Sequence, residues 1–200
     1  MSSTSRRLKS VCVYCASSNA ADPDFMAAAS TFGQILAQEK IRLVYGGGGV
    51  GLMGACALAA HGAGGDVLGV IPDFLTSHER PLESVPTVVV ESMHERKMKM
   101  FQEADAFAVL PGGIGTLEEI IELLSWRRLG LHAKPIVFLN AKGFWEPLFQ
   151  LFEHILAQNL IPEEFRETWR SVERVEDILP GLRDMPTMAF MTSPGLEEMT

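Results

Sequence analysis

The chain has 200 residues, with 17 lysines and arginines against 25 aspartates and glutamates, and a formal net charge of −8. This acidic balance argues against a nucleic-acid polymer as partner, because nucleic-acid binding relies on clustered cations that neutralise many phosphates. No run of residues approaches the roughly 20 apolar positions of a membrane span, so we expect no membrane partner. The apolar run after the N-terminus is too short and too mixed for a secretion signal, which favours a cytoplasmic protein.

Apolar runs bounded by turn residues alternate with helix-like stretches along the chain. Because these runs are apolar throughout, both of their faces must be covered. We therefore predict an α/β fold with a doubly wound, mainly parallel sheet and helices on both faces. A single domain, 10–183, is expected between a flexible N-terminus (1–9) and a tail (184–200) that is either loosely ordered or packed on a partner. The predicted strands are 11–16, 41–45, 67–71, 87–90, 106–110 and 136–139.

Capping residues predict where several helices begin. Asp22-Pro23 supplies an N-cap and a first-turn proline for a helix that runs to about Glu39. Ser92-x-x-Glu95 and Thr116-x-x-Glu119 both match the capping box, so each predicts a helix start directly after a strand. The stretch 72–86 has three prolines and no clean period, which is typical of a lid or binding loop. Further helices are predicted at 51–61, 146–158 and 176–182.

The spacing of cysteines and histidines does not predict a metal site. Cys12 and Cys15 fall on the first predicted strand, where their side chains point to opposite faces and are unable to share one ion. We predict that these residues, like Cys56, are small buried apolar side chains. No histidine has the spacing of a zinc site or a catalytic triad.

A glycine-rich loop, residues 46–54 (the first glycine loop), follows the second predicted strand. Within it, Gly49-x-Gly51-x-x-Gly54 matches the dinucleotide-binding fingerprint. That fingerprint normally follows the first strand of a sheet, so the spacing alone carries little weight. Two interpretations stay open: a tight turn with close helix packing, or a ligand pressed against the backbone. Four consecutive glycines favour the ligand.

Residues 111–115 (the second glycine loop) follow the predicted strand 106–110 and lead into the helix expected at Thr116. The glycines let backbone amides turn inward, and the helix start adds a partial positive charge, so this loop predicts an anion site. Both glycine loops lie at the carboxyl ends of parallel strands. Open α/β sheets bind their ligands there, so one pocket can contain both loops.

Three charged residues allow both a structural and a functional interpretation. Arg96 and Lys97 fall near the start of a predicted helix, where the helix dipole disfavours cations by up to about 1 kcal/mol. Either an anion lies nearby, or both are solvated residues paired with local acids. Glu119 is either the reciprocal partner of Thr116 in the capping box, or a working carboxylate near the sugar of a bound sugar phosphate.

Together these motifs resemble the LONELY GUY family, the cytokinin-activating nucleoside 5′-monophosphate phosphoribohydrolases. The hallmark Pro-Gly-Gly-x-Gly-Thr-x-x-Glu is present at 111–119, preceded by the pair Arg96-Lys97, and the likeness runs from about Val11 to Glu176. The resemblance implies a Rossmann-like fold, a homodimer and no cofactor or metal. It also implies hydrolysis of the N-glycosidic bond of N6-modified AMP, and often of AMP, to the free base and ribose 5-phosphate. The resemblance implies that Arg96 and Glu119 are the catalytic residues.

The resemblance further implies a set of substrate-binding residues. Ser125 stands where the family usually has a threonine, and Glu79 corresponds to a glutamate of the lid loop. Ile114 replaces a common tyrosine, Gly49 a common serine and Ala16 a common glycine, so these positions bear on the shape of the base or sugar pocket. The implied binding residues are Ser17, Gly47, Gly48, Gly49, Glu79, Met93, Lys97, Gly112, Gly113, Gly115, Thr116 and Ser125.

The implied reaction is a dissociative hydrolysis. Glu119 stabilises the oxocarbenium character of the ribose C1′ and orients or deprotonates water, while Arg96 holds the substrate. A nucleotide or molybdopterin-cofactor carrier of the same fold is the main alternative, although a carrier needs no carboxylate at the sugar. An NAD-dependent oxidoreductase, with Asp73 meeting a ribose, leaves the second glycine loop unexplained. A lysine decarboxylase needs a Schiff-base lysine, which no motif marks.

Overall fold

A computed structural model describes residues 6–186. The strands in that range are β1 (Ser10–Tyr14), β2 (Arg42–Tyr45), β3 (Val67–Pro72), β4 (Thr87–Val90), β5 (Ala106–Val109), β6 (Ile136–Leu139) and β7 (Arg170–Val172). They form one sheet in the order β4-β3-β2-β1-β5-β6-β7, and every pair of neighbouring strands is parallel. The predicted parallel sheet is confirmed.

Strand β7 is the strand that the sequence did not predict. It has three residues, two of them exposed, and lies at the edge of the sheet. It therefore lacks the apolar run that identifies the other strands. Residues 1–5 and 187–200, which make up most of the predicted N-terminus (1–9) and tail (184–200), lie outside the described residues.

Helices cover both faces of the sheet, as predicted. They are α1 (Pro23–Gln38), α2 (Gly51–Gly62), α3 (Thr76–Glu79), α4 (Met93–Glu103), α5 (Ile114–Arg128), α6 (Glu146–Ala157) and α7 (Ile178–Asp184). In β1, Val11 and Val13 pack with α1, α2 and α7, whereas Cys12 and Tyr14 pack with α4, α5 and α6. Cys15 joins the first of these clusters, so it lies on the opposite side from Cys12. No helix within 6–186 combines the length and apolar character that crossing a membrane requires.

Two predicted helix starts are confirmed by their caps. The carboxylate of Asp22 accepts a hydrogen bond from the backbone N–H of Asp24 at 2.8 Å. Oγ of Ser92 accepts one from the backbone N–H of Glu95 at 3.1 Å. The predicted loop 72–86 is partly helical, because a 3-10 turn at Asp73–Leu75 leads directly into α3.

The order of the strands places a crevice beside β1. The chain runs outward from β1 through β2, β3 and β4, and then returns to place β5 on the other side of β1. The loops that follow β1 and β5 therefore diverge at the carboxyl ends of these strands. In open α/β sheets this switch in strand order is the position where ligands bind.

Candidate active site

A cavity of about 220 Å³ opens at the carboxyl ends of β1 and β5. It is lined by Cys15, Ala16, Ser17, Ser18, Met53, Glu79, Arg96, Gly113, Ile114, Gly115, Thr116 and Glu119. A larger cavity, about 380 Å³, lies beyond α6, but Glu163 is the one ionisable side chain among its lining residues. The smaller cavity is the one that brings acidic and basic groups together at the switch in strand order.

The cavity contains part of the predicted substrate site. Predicted residues that line it are Ser17, Glu79, Arg96, Gly113, Gly115, Thr116 and Glu119. Predicted residues outside its lining are Gly47, Gly48, Gly49, Met93, Lys97, Gly112 and Ser125. Cys15, Ser18 and Met53 line the cavity without having been predicted. Cys15 and Ser18 follow β1 closely. Their position just after the carboxyl end of a central strand is the signal in the sequence that could have identified them as site residues.

The first glycine loop packs against the protein itself. A Cβ atom on Gly49 would overlap with the carbonyl oxygen of Arg80, and one on Gly54 would overlap with that of Gly49. Gly51 has a φ of +59°, and its Cβ would overlap with the backbone of Ser17. These contacts favour the interpretation as a tight turn with close helix packing. They account for the match to the dinucleotide fingerprint without a ligand.

Gly46 and Gly48 leave room for side chains that reach the cavity. A Cβ atom on Gly46 would overlap with Nη2 of Arg96. On Gly48, it would lie 2.7 Å from Cε of Met53 and 3.1 Å from Oε2 of Glu79. The absence of side chains at Gly46 and Gly48 therefore leaves space for Arg96, Met53 and Glu79, which line the cavity.

Arg96 is buried, with 6% of the residue exposed. Its Nη2 donates a hydrogen bond to the carbonyl oxygen of Gly46 at 3.0 Å and lies 3.9 Å from Oε2 of Glu79. No group within 6–186 forms a hydrogen bond with Nε of Arg96 or with Oε2 of Glu79, although both atoms are buried. Such an atom costs about 1–3 kcal/mol, so both have capacity for a ligand. The interpretation of Arg96 as a solvated surface residue is wrong.

Thr116 does not cap α5. This helix begins at Ile114 with Gly113 in the N-cap position, so Thr116 lies inside the first turn. The Thr116 side chain folds back onto Gly112, where a Cβ atom would overlap with Oγ1 of the threonine. The predicted capping box is wrong, because the glycine backbone starts the helix before Thr116. Glu119 is therefore free of a capping role and lines the cavity.

Burial raises the pKa of Glu119 to about 7. The charges of Arg96 and Lys97 oppose this shift, while those of Glu118 and Glu79 add to it. Burial also raises the pKa of Glu79, against the charge of Arg96. A carboxyl group with a pKa near 7 is present as both acid and base at neutral pH, as proton transfer requires. Such a group beside a buried arginine in a cavity is typical of a functional site.

The second glycine loop opens into the cavity. Among the described atoms, none lies within 4 Å of the position that a Cβ would take on Gly113 or Gly115. The first backbone N–H groups of an α-helix have no partner inside the helix. The 15-residue helix α5 adds partial positive charge at the same end. Gly113, Gly115 and Thr116 line the cavity, and the arrangement fits a phosphate group.

Lys97 and Ser125 lie outside the cavity lining. Nζ of Lys97 lies 2.6 Å from Oε1 of Glu118 and 2.9 Å from Oε2 of Glu122. The sequence allowed two interpretations of Lys97, a nearby anionic ligand or pairing with local acids. The structure shows the pairing with acids. Ser125 lies near the end of α5, roughly 1.7 turns beyond Glu119.

Known proteins resemble this chain along most of its length. The model of a family described as possible lysine decarboxylase matches residues 53–182. The cytokinin riboside 5′-monophosphate phosphoribohydrolase LOG7 of Arabidopsis thaliana is 40% identical over 185 residues, covering 92% of this chain and 85% of its own. The probable enzyme LOGL9 of Oryza sativa subsp. japonica is 42% identical over 182 residues, covering 87% and 80%. The chain belongs to the LONELY GUY family.

Solved structures share the fold of this LONELY GUY chain. The Moco carrier protein of Chlamydomonas reinhardtii matches with a TM-score of 0.68 at 18% identity, covering 90% of this chain and 98% of its own. The molybdenum cofactor binding protein of Rippkaea orientalis matches with a TM-score of 0.64 at 22% identity, covering 88% and 96%. These matches confirm the Rossmann-like α/β fold, and at such identities they show the fold alone.

The geometry weakens two of the alternative functions. A Schiff-base decarboxylase needs a lysine at its reacting centre, and none of the described residues that line the cavity is a lysine. An NAD-dependent oxidoreductase needs the first glycine loop to hold phosphate, but that loop is filled by its own chain. Asp73, the expected ribose partner, is not among the lining residues of the described cavity.

Proposed function

We propose that this LONELY GUY protein hydrolyses the N-glycosidic bond of purine nucleoside 5′-monophosphates, with N6-modified AMP and AMP as substrates. The products are the free base, a cytokinin or adenine, and ribose 5-phosphate. One observation carries this proposal: the pKa of Glu119 on α5 is raised to about 7, and its carboxyl group lines the same cavity as the buried Arg96 of α4. The relatives LOG7 and LOGL9 are named for the same reaction.

The 5′-phosphate binds at the start of α5. Its oxygens accept hydrogen bonds from backbone N–H groups of the first turn, and the helix dipole stabilises their charge. Gly113 and Gly115 have open space where a side chain would begin, so the phosphate can approach the backbone closely. This explains how a chain with a net charge of −8 binds an anion.

Glu119 acts at the sugar. When the N-glycosidic bond breaks, its electron pair leaves with the base, and positive charge develops at C1′ and the ring oxygen of the ribose. The ionised Glu119 carboxylate stabilises this charge and accepts a proton from the water that forms the new C1′–O bond. Because its pKa is about 7, the same group can release the proton, and the leaving base takes one up.

Arg96 and Glu79 hold the substrate. Nε of Arg96 donates to an oxygen of the sugar phosphate, and Oε2 of Glu79 accepts from a sugar hydroxyl. Both atoms are buried without a hydrogen-bond partner in the described chain, so a substrate that satisfies them removes an unfavourable contribution to the free energy. The Nη2 bond from Arg96 to Gly46 fixes the guanidinium in place.

The active form is a cytoplasmic homodimer. Large apolar side chains are exposed on and just after α5: Ile114 is 85% exposed, Ile121 43%, Leu129 60% and Leu131 69%. Packing of this face against a second copy removes the apolar area from water. Ser125 lies on the same helix, outside the cavity of its own chain. The proposed cytoplasmic location rests on the sequence, in which the apolar run at 11–16 is short and mixed.

The test is incubation of the purified protein with AMP, N6-isopentenyl-AMP, GMP and CMP, with detection of free base and ribose 5-phosphate. We expect release from the adenine nucleotides, and loss of at least 100-fold in kcat, about the contribution of acid–base catalysis, in Glu119→Gln. Glu167→Gln, which changes an exposed carboxylate outside the cavity, is the control and keeps full activity. Nucleotide binding without release of base from any substrate favours the carrier instead.

A further inference from the structure

Arg96 and Lys97 are neighbours on α4 but contact different parts of the molecule. Arg96 is buried against Gly46 at the cavity. Lys97 contacts α5, where its Nζ lies 2.6 Å from Glu118 and 2.9 Å from Glu122. Successive helical residues project about 100° apart, so adjacent residues separate in this way. The two cations of the family motif therefore make different contacts in this structure.

The Lys97 contact differs from an ordinary surface ion pair. Its side chain is 14% exposed, and it joins two carboxylates that lie four residues apart on α5. Like charges at this spacing repel each other, and an ammonium between them removes the repulsion. Lys99 provides a comparison on the same helix: its side chain is 39% exposed and it pairs within α4, with Glu103 at 2.9 Å.

The acceptors of Lys97 flank Glu119. Glu118 precedes it in the chain, and Glu122 lies about one turn further along the same helix. Fixing both acceptors to α4 fixes the turn of α5 that carries the Glu119 carboxylate. The same turn follows the glycines at the start of the helix.

We infer that Lys97 is a positioning residue, which orients Glu119 towards the reacting sugar by tying α5 to α4 through Glu118 and Glu122. The resemblance to the family had implied that Lys97 binds the nucleotide itself. The inference rests on the proposed role of Glu119. Misplacement of a catalytic group by about 1 Å can cost roughly 100-fold in rate, so loss of this ion pair lowers kcat while leaving KM nearly unchanged.

A second consequence concerns the proton affinity of Glu119. Lys97 lowers the pKa of Glu119 and Glu118 raises it. The other groups on the cavity side are Arg96 and Glu79, together with Cys12, Tyr14 and Cys15, whose own pKa values burial raises further. Because those three stay neutral near pH 7, removal of Lys97 moves the ascending limb of the kcat profile to higher pH.

The experiment compares Lys97→Met, Lys97→Arg and the control Lys99→Met in steady-state kinetics with AMP. We expect Lys97→Met to lower kcat about tenfold, to keep KM within about twofold and to shift the ascending limb upward. Lys97→Arg restores kcat, and Lys99→Met changes neither kcat nor KM. A Lys97→Met protein with raised KM and normal kcat would instead show that the lysine binds the nucleotide, and would overturn the inference.

A double-mutant cycle tests the connection through α5. In a Glu118→Gln/Glu122→Gln background, Lys97→Met is expected to cost no further kcat; an undiminished tenfold loss there overturns the inference. Thermal unfolding of the same proteins gives a readout without turnover, and the coupling between Lys97 and its acceptors is expected to be on the order of 2 °C in Tm. If Glu119→Gln proves fully active, the proposed function fails, while this coupling still reports whether the ion pair exists.

Discussion

The two glycine loops look alike in the sequence and differ in the structure. In the first glycine loop, Gly49, Gly51 and Gly54 lie where a Cβ atom would overlap with the backbone of the protein. In the second glycine loop, Gly113 and Gly115 lie where a Cβ atom would meet open space within the described chain. The first loop therefore needs glycine to fold. In the second loop Gly112 shares that need, because a Cβ atom there would overlap with the side chain of Thr116. Gly113 and Gly115 do not, and a ligand that approaches their backbone provides the reason for glycine.

This difference shows that a glycine motif has two distinct structural causes. A glycine run records a close approach to the backbone, but the approaching atoms belong either to the protein or to a ligand. Here the loop that matches the dinucleotide fingerprint is the one filled by the protein. The loop with a less familiar spacing is the one that borders the cavity. Substitutions in each loop are expected to separate stability from substrate binding.

The largest effect is expected for Gly51→Ala. Alanine at a φ of +59° is strained, and its Cβ would overlap with the backbone of Ser17. We expect a loss of about 3 kcal/mol in the free energy of unfolding, measured by urea denaturation. Gly62→Ala in α2, where a Cβ meets open space among the described atoms, is the control. A normally stable Gly51→Ala would remove the packing explanation of the first loop.

The next effect concerns Glu119 at the end of the second-loop motif. Its pKa is about 7 in the folded chain and near 4.3 in an unfolded one, so the folded state holds an extra proton between these values. The resulting stability is present below about pH 4 and is lost as pH rises through 7. Glu119→Gln removes this loss. The full shift corresponds to about 3.7 kcal/mol, and because the cavity is open to solvent, which screens the charge, we expect a gain of about 2 kcal/mol over the parent at pH 8 and none at pH 4. Urea denaturation at both pH values measures this, and equal stability at pH 8 would contradict the raised pKa.

Gly115→Ala should separate binding from folding. In the first turn of α5 alanine is a better helix former than glycine, so stability is expected to rise by up to about 0.5 kcal/mol. The added methyl group enters the proposed phosphate site, and KM for AMP is expected to rise about tenfold, equivalent to about 1.4 kcal/mol. Kinetics and urea denaturation of one protein preparation give both numbers. An unchanged KM would show that the phosphate lies elsewhere.

The smallest effect is expected at Tyr45, the last residue before the first glycine loop. Its hydroxyl is buried and has no hydrogen-bond partner in the described part of the chain. Because Tyr45→Phe removes an unsatisfied polar group, the free energy of unfolding is expected to rise by up to about 1 kcal/mol. Tyr14→Phe is the matched control, since it removes a hydroxyl that bonds to Cys12. A destabilised Tyr45→Phe would reveal a partner for the hydroxyl.

Most of the fold could be predicted from local patterns. Continuous apolar runs identified every strand within 6–186 except β7, whose three residues are largely exposed. Asp22 and Ser92 identified two helix starts because a capping side chain bonds within its own turn. The same rule failed at Thr116, where the glycines before it adopt the helical start and leave the threonine inside.

The candidate site was predicted less completely, because its contacts join distant parts of the chain. Gly46 and Arg96 are 50 residues apart and share a hydrogen bond that no local pattern indicates. Met53 lines the cavity but was not predicted, for a similar reason. It lies on α2, and the sequence of that helix does not indicate which side faces the loop after β1.

The sequence by itself determined the parallel sheet, the positions of the two glycine loops and membership of the family, because apolar periodicity, capping residues and motif spacing are local. Only the tertiary structure decided which loop is packed by the protein and which is open to a ligand. It also decided that Arg96 reaches the cavity while Lys97 reaches α5. These outcomes depend on contacts between segments that meet only after the sheet has assembled, and burial then sets the pKa of Glu119.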